Sequence, residues 1–574
     1  MRKVQDVLDQ VVKFFTMPIC GTLLVVQTLH LLAQCPMHGL IRLLLNEQCA
    51  LRRIRNYDKP TINFTKTYLT RLRPELPSPG VARRPNGSWI IAARTNSDPP
   101  RIPLPRLHIS VVSLLKPIAS SIPGFRSFAL FQQSVAIIQI IMSKPSIGFV
   151  GLGAMGFGMA THLVKQGYPV HGYDVFPASI ERFKAAGGIP ASTLRESAEG
   201  KKYYIVMVAS APQAQSVLFG DDSIVQYLPQ NAVLMLCSTV SASDAQSVVT
   251  ELQNRGRGDI LFVDSPVSGG AKRAADGTLS IMAGATDEAL NAARDILQEM
   301  SDENKLYLVP GGIGAGSNMK MVHQVLAAIH ICGASEAMGF AAHLGLDARA
   351  TAEAIFASDA WTWMHENRFP RMVEEDWTPG ASALTIILKD AGIITSSARQ
   401  HRFPTPLCST AEQAYLAALV HGWGPKDDSA MIRQYYAKPL SEVSPSADPK
   451  AATELVLELM RGVNLVAAAE AVAFARYLKV DLAQFHGLVS QAAGASKIFI
   501  QQGLEMIEGR IGDKAPEGSP TVGQAAAKLE AVVQKARDLH CPLHLGNAAL
   551  NVLFQAQRHG SGGQSSTSVI RVYG

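Results

Sequence analysis

From Ser146 onward, short apolar runs alternate with amphipathic stretches. Ile147–Val150 is a wholly apolar run, followed by a Gly-rich turn and a helical stretch through Met159–Gln166. Further short apolar runs recur at Val170–Tyr173, Tyr204–Val208, Val233–Leu236 and Ile260–Val263, each separated by a helical stretch. Strand–helix alternation at this spacing predicts an α/β domain over 143–311, built on a doubly wound parallel sheet. Past about Gly316 the strand pattern stops. Asn318–Leu344 reads as one long Ala-rich helix, and further helices follow to Tyr436, giving an all-α domain over 312–438. A Ser/Pro linker occupies 439–450, and 451–574 is helical again.

The second helical block repeats the first. Ser397–Tyr436 aligns without gaps onto Lys535–Gly574 at an offset of 138, with twelve of 40 positions identical. Pro404 and Pro542, His421-Gly422 and His559-Gly560, and Ile432-Arg433 and Ile570-Arg571 are among them. The earlier halves align at an offset of 134, which places Glu336 on Glu470 and Asp347 on Asp481. Residues 451–574 are therefore expected to be a degenerate duplicate of the helical domain, without a second sheet domain.

Residues 1–141 break this regularity. Apolar runs flank a Pro/Arg-rich stretch (Arg71–Arg106) with a period of neither 2 nor 3.6. Charge changes the picture here. The segment carries 18 Lys and Arg against 6 Asp and Glu, so the remaining chain is at −6 although the whole is at +6. The basic character thus says nothing about the regular part, and neither nucleic acid nor membrane is expected as a partner. The segment is read as an extension, poorly ordered or foreign to the mature protein. Seven scattered cysteines form no CxxC pair and no His-linked spacing. They read as reduced thiols, with no metal site and a cytoplasmic location. The Arg-rich, acid-poor start leaves a mitochondrial location as the alternative.

Three stretches carry chemistry. Gly151-Leu152-Gly153-Ala154-Met155-Gly156 follows a strand and opens a helix. Gly151 permits a tight turn, Gly153 lets a pyrophosphate approach the backbone, and Gly156 lets helix and strand pack closely. Free N–H groups at the helix start then face the phosphates, as in a Rossmann-type dinucleotide site. Asp174, 23 residues past Gly151, ends the second strand. A carboxylate there accepts bonds from ribose hydroxyls and repels a 2′-phosphate, which favours NAD over NADP. Next, Asp264-Ser-Pro-Val-Ser268-Gly269-Gly270 ends a strand. Ser268 and the N–H groups exposed by Gly269 and Gly270 can hold a carboxylate there. Finally, Lys320 lies about one turn inside the long helix, and Gln324 lies one turn further on the same face. Oxidising an alcohol needs a base, and a lysine serves if burial and nearby positive charge lower its pKa.

The ordered set Ile147–Ala160, the DSPVSGG strand end, Gly316-Ser-Asn-Met-Lys320 and Leu388-Lys389-Asp390 resembles the β-hydroxyacid dehydrogenases. That family includes 3-hydroxyisobutyrate and 6-phosphogluconate dehydrogenases. The resemblance covers about residues 145–436. Within it, Lys320-Met-Val-His323-Gln324, Trp363-Met-His-Glu-Asn367-Arg368 and Lys426-Asp-Asp-Ser429 resemble the L-threonate dehydrogenases. The resemblance implies a 6-phosphogluconate-dehydrogenase-like helical domain and NAD-dependent oxidation of a small hydroxy acid, L-threonate-like or 3-hydroxyisobutyrate-like. It implies Lys320 as general base. Ser268, Gly269, Gly270, His323 and Gln324 would hold the substrate, and Thr239 and Lys389 would reach the cofactor. Gln324 departs from the Asn usual in the family. The alternative function is a non-catalytic NAD-binding scaffold or sensor. Glu454, Glu458 and Ala527 stand opposite Lys320, Gln324 and Lys389, so the second copy lacks both lysines. A homodimer, or internal pairing of the two helical copies, is the expected association.

Overall fold

The structure, a computed structural model, describes residues 144–378, 383–512 and 519–574. The expected N-terminal extension (1–141) lies outside the described residues.

Six parallel strands form the main sheet: β1 (Ile147–Val150), β2 (Val170–Tyr173), β3 (Ile189–Pro190), β4 (Tyr203–Val206), β5 (Val233–Leu236) and β6 (Leu261–Asp264). Their order is β3-β2-β1-β4-β5-β6. The helices between them are α1 (Ala154–Lys165), α2 (Pro177–Ala185), α3 (Leu194–Ala198), α4 (Ala211–Phe219) and α5 (Ala242–Asn254). Both faces of the sheet are covered, by one apolar core around Phe149, Ile205 and Val263 and another around Val206, Leu234 and Phe262. β1 and β5 are buried at every position and apolar throughout, so they read as runs without alternation, whereas β2 alternates buried Val170 and Gly172 with half-buried His171 and Tyr173. Strand order reverses between β1 and β4. Their carboxyl ends open the crevice where such sheets bind ligands.

A smaller sheet follows that the hydrophobic pattern did not reveal. It contains β7 (Val267–Ser268), β8 (Leu279–Ala283) and β9 (Ser301–Leu308), with α6 (Gly270–Asp276) and α7 (Asp287–Met300) between them. β7 pairs antiparallel and β9 parallel with β8. All five residues of β8 are buried but Ser280 interrupts them, so neither alternation nor an unbroken apolar run marks it. β9 is polar, with Glu303 and Asn304 exposed, so no apolar run marks it either.

The first helical domain comprises α8 (Ala315–His343), α9 (Ala348–Ala357), α10 (Trp363–Glu374), α11 (Leu384–His401), α12 (Pro406–Val420) and a 3₁₀ turn at Asp428–Gln434. The second comprises α13 (Pro449–Tyr477), α14 (Leu482–Ser490), α15 (Leu504–Ile507), α16 (Val522–Asp538), α17 (His544–Ala556) and a 3₁₀ turn from Ser566 to Tyr573. The duplication holds at the level of caps. Asp347 accepts from Ala350 N at 2.8 Å, and its equivalent Asp481 accepts from Gln484 N at 2.9 Å. α11 and α16 start at equivalent residues, as do α12 and α17. α8 is long and apolar enough to cross a bilayer, but its whole apolar window is buried inside the fold, so here it is a core helix.

The two copies share one continuous core. They meet about a local two-fold relation. Thr362 and its equivalent Ser496 form an antiparallel bridge with each other. Across it Trp363 N donates to Ala495 O at 2.9 Å, and the equivalent Lys497 N donates to Trp361 O at 3.2 Å. Elsewhere the copies have diverged. A buried ion pair, Arg368 Nη2 to Asp428 Oδ2 at 2.9 Å, joins α10 to the 3₁₀ turn of the first copy. In the second copy the equivalents are Gln502 and Ser566, joined by a neutral hydrogen bond of 3.3 Å.

Candidate active site

The Gly-rich loop lies between β1 and α1. Gly151 has φ of +93°, the left-handed region that a side chain disfavours. A Cβ on Gly156 would stand 1.8 Å from Gly151 O, so only glycine lets α1 close on the loop. A Cβ on Gly153 would meet nothing within 4 Å. The space in front of Gly153 is open, and α1 starts there with no side-chain cap. That is a cradle for an anion at a helix N-terminus.

Asp174 holds this loop. Its Oδ2 accepts from Leu152 N at 2.6 Å and its Oδ1 from Phe176 N at 2.9 Å. Each oxygen keeps a lone pair for a ribose hydroxyl. Leu152 itself is not free for a ligand. Its side chain is buried, its N–H goes to Asp174, and its carbonyl accepts from Arg182 at 3.1 Å. Of the other loop residues, Ala154 is exposed and Met155 half-buried.

The second stretch ends the sheet. Ser268 lies on β7, just past the carboxyl end of β6, and Gly269 and Gly270 have φ of +141° and +73°. Asp264, at the end of β6, received no role from the sequence. It is fully buried, and burial pushes its carboxyl up to about 6. It accepts from Ser317 Oγ and Ser317 N, both at 2.7 Å. This staple ties the start of α8 to the sheet and so fixes where Lys320 enters.

Lys320 is 5% exposed. Burial lowers its pKa to about 8; the Asp390 carboxylate opposes that shift and the Lys389 ammonium adds to it. Lys320 Nζ donates to Gln324 Oε1 at 3.1 Å, and Gln324 Nε2 donates to Asp390 Oδ2 at 2.6 Å. Lys389 Nζ pairs with Asp390 Oδ1 at 3.0 Å and donates to Thr239 O at 3.3 Å. One chain of polar contacts thus runs from α8 through α11 to the sheet domain. Lys320, Gln324, Lys389 and Thr239 are all on it. Asp390, its hub, follows Lys389 directly in the Leu388-Lys389-Asp390 motif, and only the fold shows its part.

His323 departs from its expected place. The ring is fully buried, with Nδ1 3.0 Å from Gln324 Oε1 and Nε2 3.3 Å from Gly494 N of the second copy. Both nitrogens are engaged within the protein, so the ring stands behind Gln324 and cannot also touch a substrate. Burial lowers its pKa to about 3, first in effect, with the Lys320 ammonium adding to it.

The corresponding place in the second copy is filled with ion pairs. Arg461 contacts Asp359 at 2.8 Å, Glu454 at 2.6 Å and Glu458 at 3.0 Å, and Lys528 contacts Glu458 at 2.7 Å. Glu458 and Lys528 stand where the first copy has Gln324 and Asp390. Among the described residues this copy has no sheet domain of its own.

A family model described as the NAD binding domain of 6-phosphogluconate dehydrogenase matches residues 146–311. One described as NAD-binding of NADP-dependent 3-hydroxyisobutyrate dehydrogenase matches twice, at 314–435 and 451–573. The chain is also 37% identical over 288 residues to an L-threonate dehydrogenase of Cupriavidus necator, covering 50% of this chain and 95% of that one. The chain belongs to the 3-hydroxyisobutyrate dehydrogenase-like family of β-hydroxyacid dehydrogenases. Mitochondrial 3-hydroxyisobutyrate dehydrogenase of Homo sapiens is 31% identical over 299 residues, 51% of this chain and 87% of that one. A 6-phosphogluconate dehydrogenase of Plasmodium falciparum matches in fold alone, at 15% identity and a TM-score of 0.52, covering 72% of this chain and 95% of that one. The doubled match of one family model identifies 451–573 as a second helical domain of the same kind as 314–435.

Proposed function

We propose that this β-hydroxyacid dehydrogenase oxidises a small hydroxy acid, L-threonate-like or 3-hydroxyisobutyrate-like, with Lys320 as general base. The observation that carries the reading is Lys320 itself: a buried amine, lowered to about 8, held by Gln324 at the junction of sheet and helical domains. An amine that is partly neutral near physiological pH can take the hydroxyl proton.

The open cradle at Gly153, the helix start behind it and the Asp174 carboxylate fit a dinucleotide without a 2′-phosphate. Bound NAD supplies the acceptor for the hydride leaving the carbinol carbon. Ser268 and the N–H groups of Gly269 and Gly270 hold the substrate carboxylate. Gln324 orients Lys320. Lys389, anchored on Asp390 and Thr239 O, closes the helical domain onto the cofactor side.

The reading is tested by NADH formation over L-threonate, D-glycerate, 3-hydroxyisobutyrate and tartrate. At least one acid should be oxidised, and Lys320→Ala should abolish that turnover while NAD affinity stays nearly unchanged. Silence across the panel with NAD still bound would sink the enzyme reading. Turnover surviving in Lys320→Ala would sink the base assignment.

A further inference from the structure

We infer that the second helical copy supplies a fixed part of the catalytic centre: the Gly494 N–H holds His323 in a single tautomer, which locks the Gln324 carbonyl toward Lys320. An amide N–H can only donate. At 3.3 Å from Gly494 N, His323 Nε2 is therefore the acceptor. The neutral ring then carries its proton on Nδ1, which faces Gln324 Oε1 at 3.0 Å. Gln324 Oε1 receives two donors, His323 Nδ1–H and Lys320 Nζ, and Gln324 Nε2 is left to donate to Asp390. Each of these contacts pairs a donor with an acceptor. The opposite tautomer would set N–H against N–H at Gly494 and a lone pair against the Gln324 carbonyl.

The donor is held firmly. Ala495 and Lys497, on either side of Ser496, are pinned to the first copy by the reciprocal bonds with Trp363 and Trp361. The approach is close: a Cβ on Gly494 would stand 3.1 Å from His323 O and 3.2 Å from Leu326 Cβ. The contact also lacks a mirror image. Ala360 and Leu457 are the equivalents of Gly494 and His323, and the Ala360 carbonyl accepts from Asn464 at 3.2 Å instead. The two-fold packing is general, but the N–H to imidazole bond exists only beside the copy that has Lys320. Gly494 and His323 are positioning residues, and their effect on turnover rests on the dehydrogenase reading above.

The test uses the full chain labelled with ¹⁵N-histidine, with the His323 signals assigned by their loss in His323→Gln. The wild type should show a neutral ring protonated on Nδ1 down to pH 6. A ring protonated on Nε2, or an imidazolium at pH 6, overturns the inference without any variant. Gly494→Pro removes the donor, whereas Gly494→Ala keeps it and adds the crowding. The proline variant should show mixed tautomers and a kcat at least tenfold below the alanine variant, with equal NAD affinity. Identical tautomers and identical kcat in the two variants also overturn it. If the proline variant does not fold, the wild-type spectrum decides alone. Failure of the wild type to oxidise any acid would remove the dehydrogenase reading, and the spectrum would still read the tautomer.

Discussion

Glu336 and Glu470 occupy equivalent positions on the two long helices, and each caps a helix of the opposite copy. Glu336 accepts from Leu545 N at 2.9 Å and Gly546 N at 2.8 Å, at the start of α17. Glu470 accepts from Leu407 N and Cys408 N, both at 2.9 Å, at the start of α12. The four receiving residues are equivalent in pairs. Such reciprocity is the mark of an isologous interface, here closed within one chain. A carboxylate at a helix N-terminus satisfies orphan N–H groups and meets the positive end of the dipole.

Truncating either carboxylate should be costly. Glu336→Ala or Glu470→Ala strands two buried N–H groups and opens a void, for a loss of ~2–4 kcal/mol in urea unfolding. Each of the two carboxyls also contributes stability that is lost as pH rises. Burial pushes each carboxyl from 4.5 to about 7. Between those values the folded chain holds more protons than the unfolded chain, so unfolding becomes easier with rising pH. Each variant loses one such contribution, so its stability relative to the wild type should improve as pH rises from 5 to 7.5. A difference that stays constant with pH would mean that both carboxyls are ionised throughout.

The Gly-rich loop offers a clean separation of folding from binding. Gly153→Ala adds a methyl into open space, so its melting temperature should match the wild type. The same methyl stands where the pyrophosphate must approach, so NAD affinity should fall at least tenfold, or ~1.4 kcal/mol. Gly156→Ala drives a Cβ to 1.8 Å from Gly151 O, so both melting temperature and NAD binding should fall. Calorimetry and NAD titration of the two variants check this. Normal NAD binding by Gly153→Ala would place the pyrophosphate elsewhere.

What the sequence shows and what it hides have physical reasons. Five of the six main-sheet strands were legible as short, mostly apolar runs separated by helical stretches, but β3, only Ile189–Pro190, leaves no run to read. The duplication was legible because caps such as Asp347 and Asp481 recur at fixed offsets. β8 and β9 were not, because Ser280 breaks the apolar run of one and the other begins with the polar residues Ser301 to Lys305. At the site, Lys320, Gln324 and Lys389 stood out through ordered motifs, but the bonds between them did not. Gly494 is 171 residues from His323, in a copy lacking both lysines, and no local pattern marks it. Asp390 is the hub only because α11 packs beside α8, which is a tertiary fact.

The pH profile of turnover should follow Lys320. A base must be neutral, so kcat/KM should rise with pH and level off above about 8. The neighbours move this inflection in opposite senses. Asp390 raises the Lys320 pKa, so Asp390→Asn should shift the inflection to lower pH. Lys389 lowers it, so Lys389→Met should shift the inflection to higher pH. Two shifts in the same direction, or none, would remove Lys320 as the titrating group.

The divergence between the copies supplies a stability experiment already half performed. In the first copy Arg368 and Asp428 form a buried ion pair; in the second, Gln502 and Ser566 take their places with one hydrogen bond of 3.3 Å. Asp428→Ser alone leaves the Arg368 guanidinium buried without its counter-charge, with a loss of ~3–5 kcal/mol expected. Arg368→Gln alone leaves a buried carboxylate in the same position. The double variant recreates the neutral pair that the second copy already packs in an equivalent place. It should therefore be more stable than either single variant, with a coupling energy of about 2 kcal/mol or more in the double-mutant cycle. Additive losses would show that the surroundings of α10, rather than the pairing itself, require the charges.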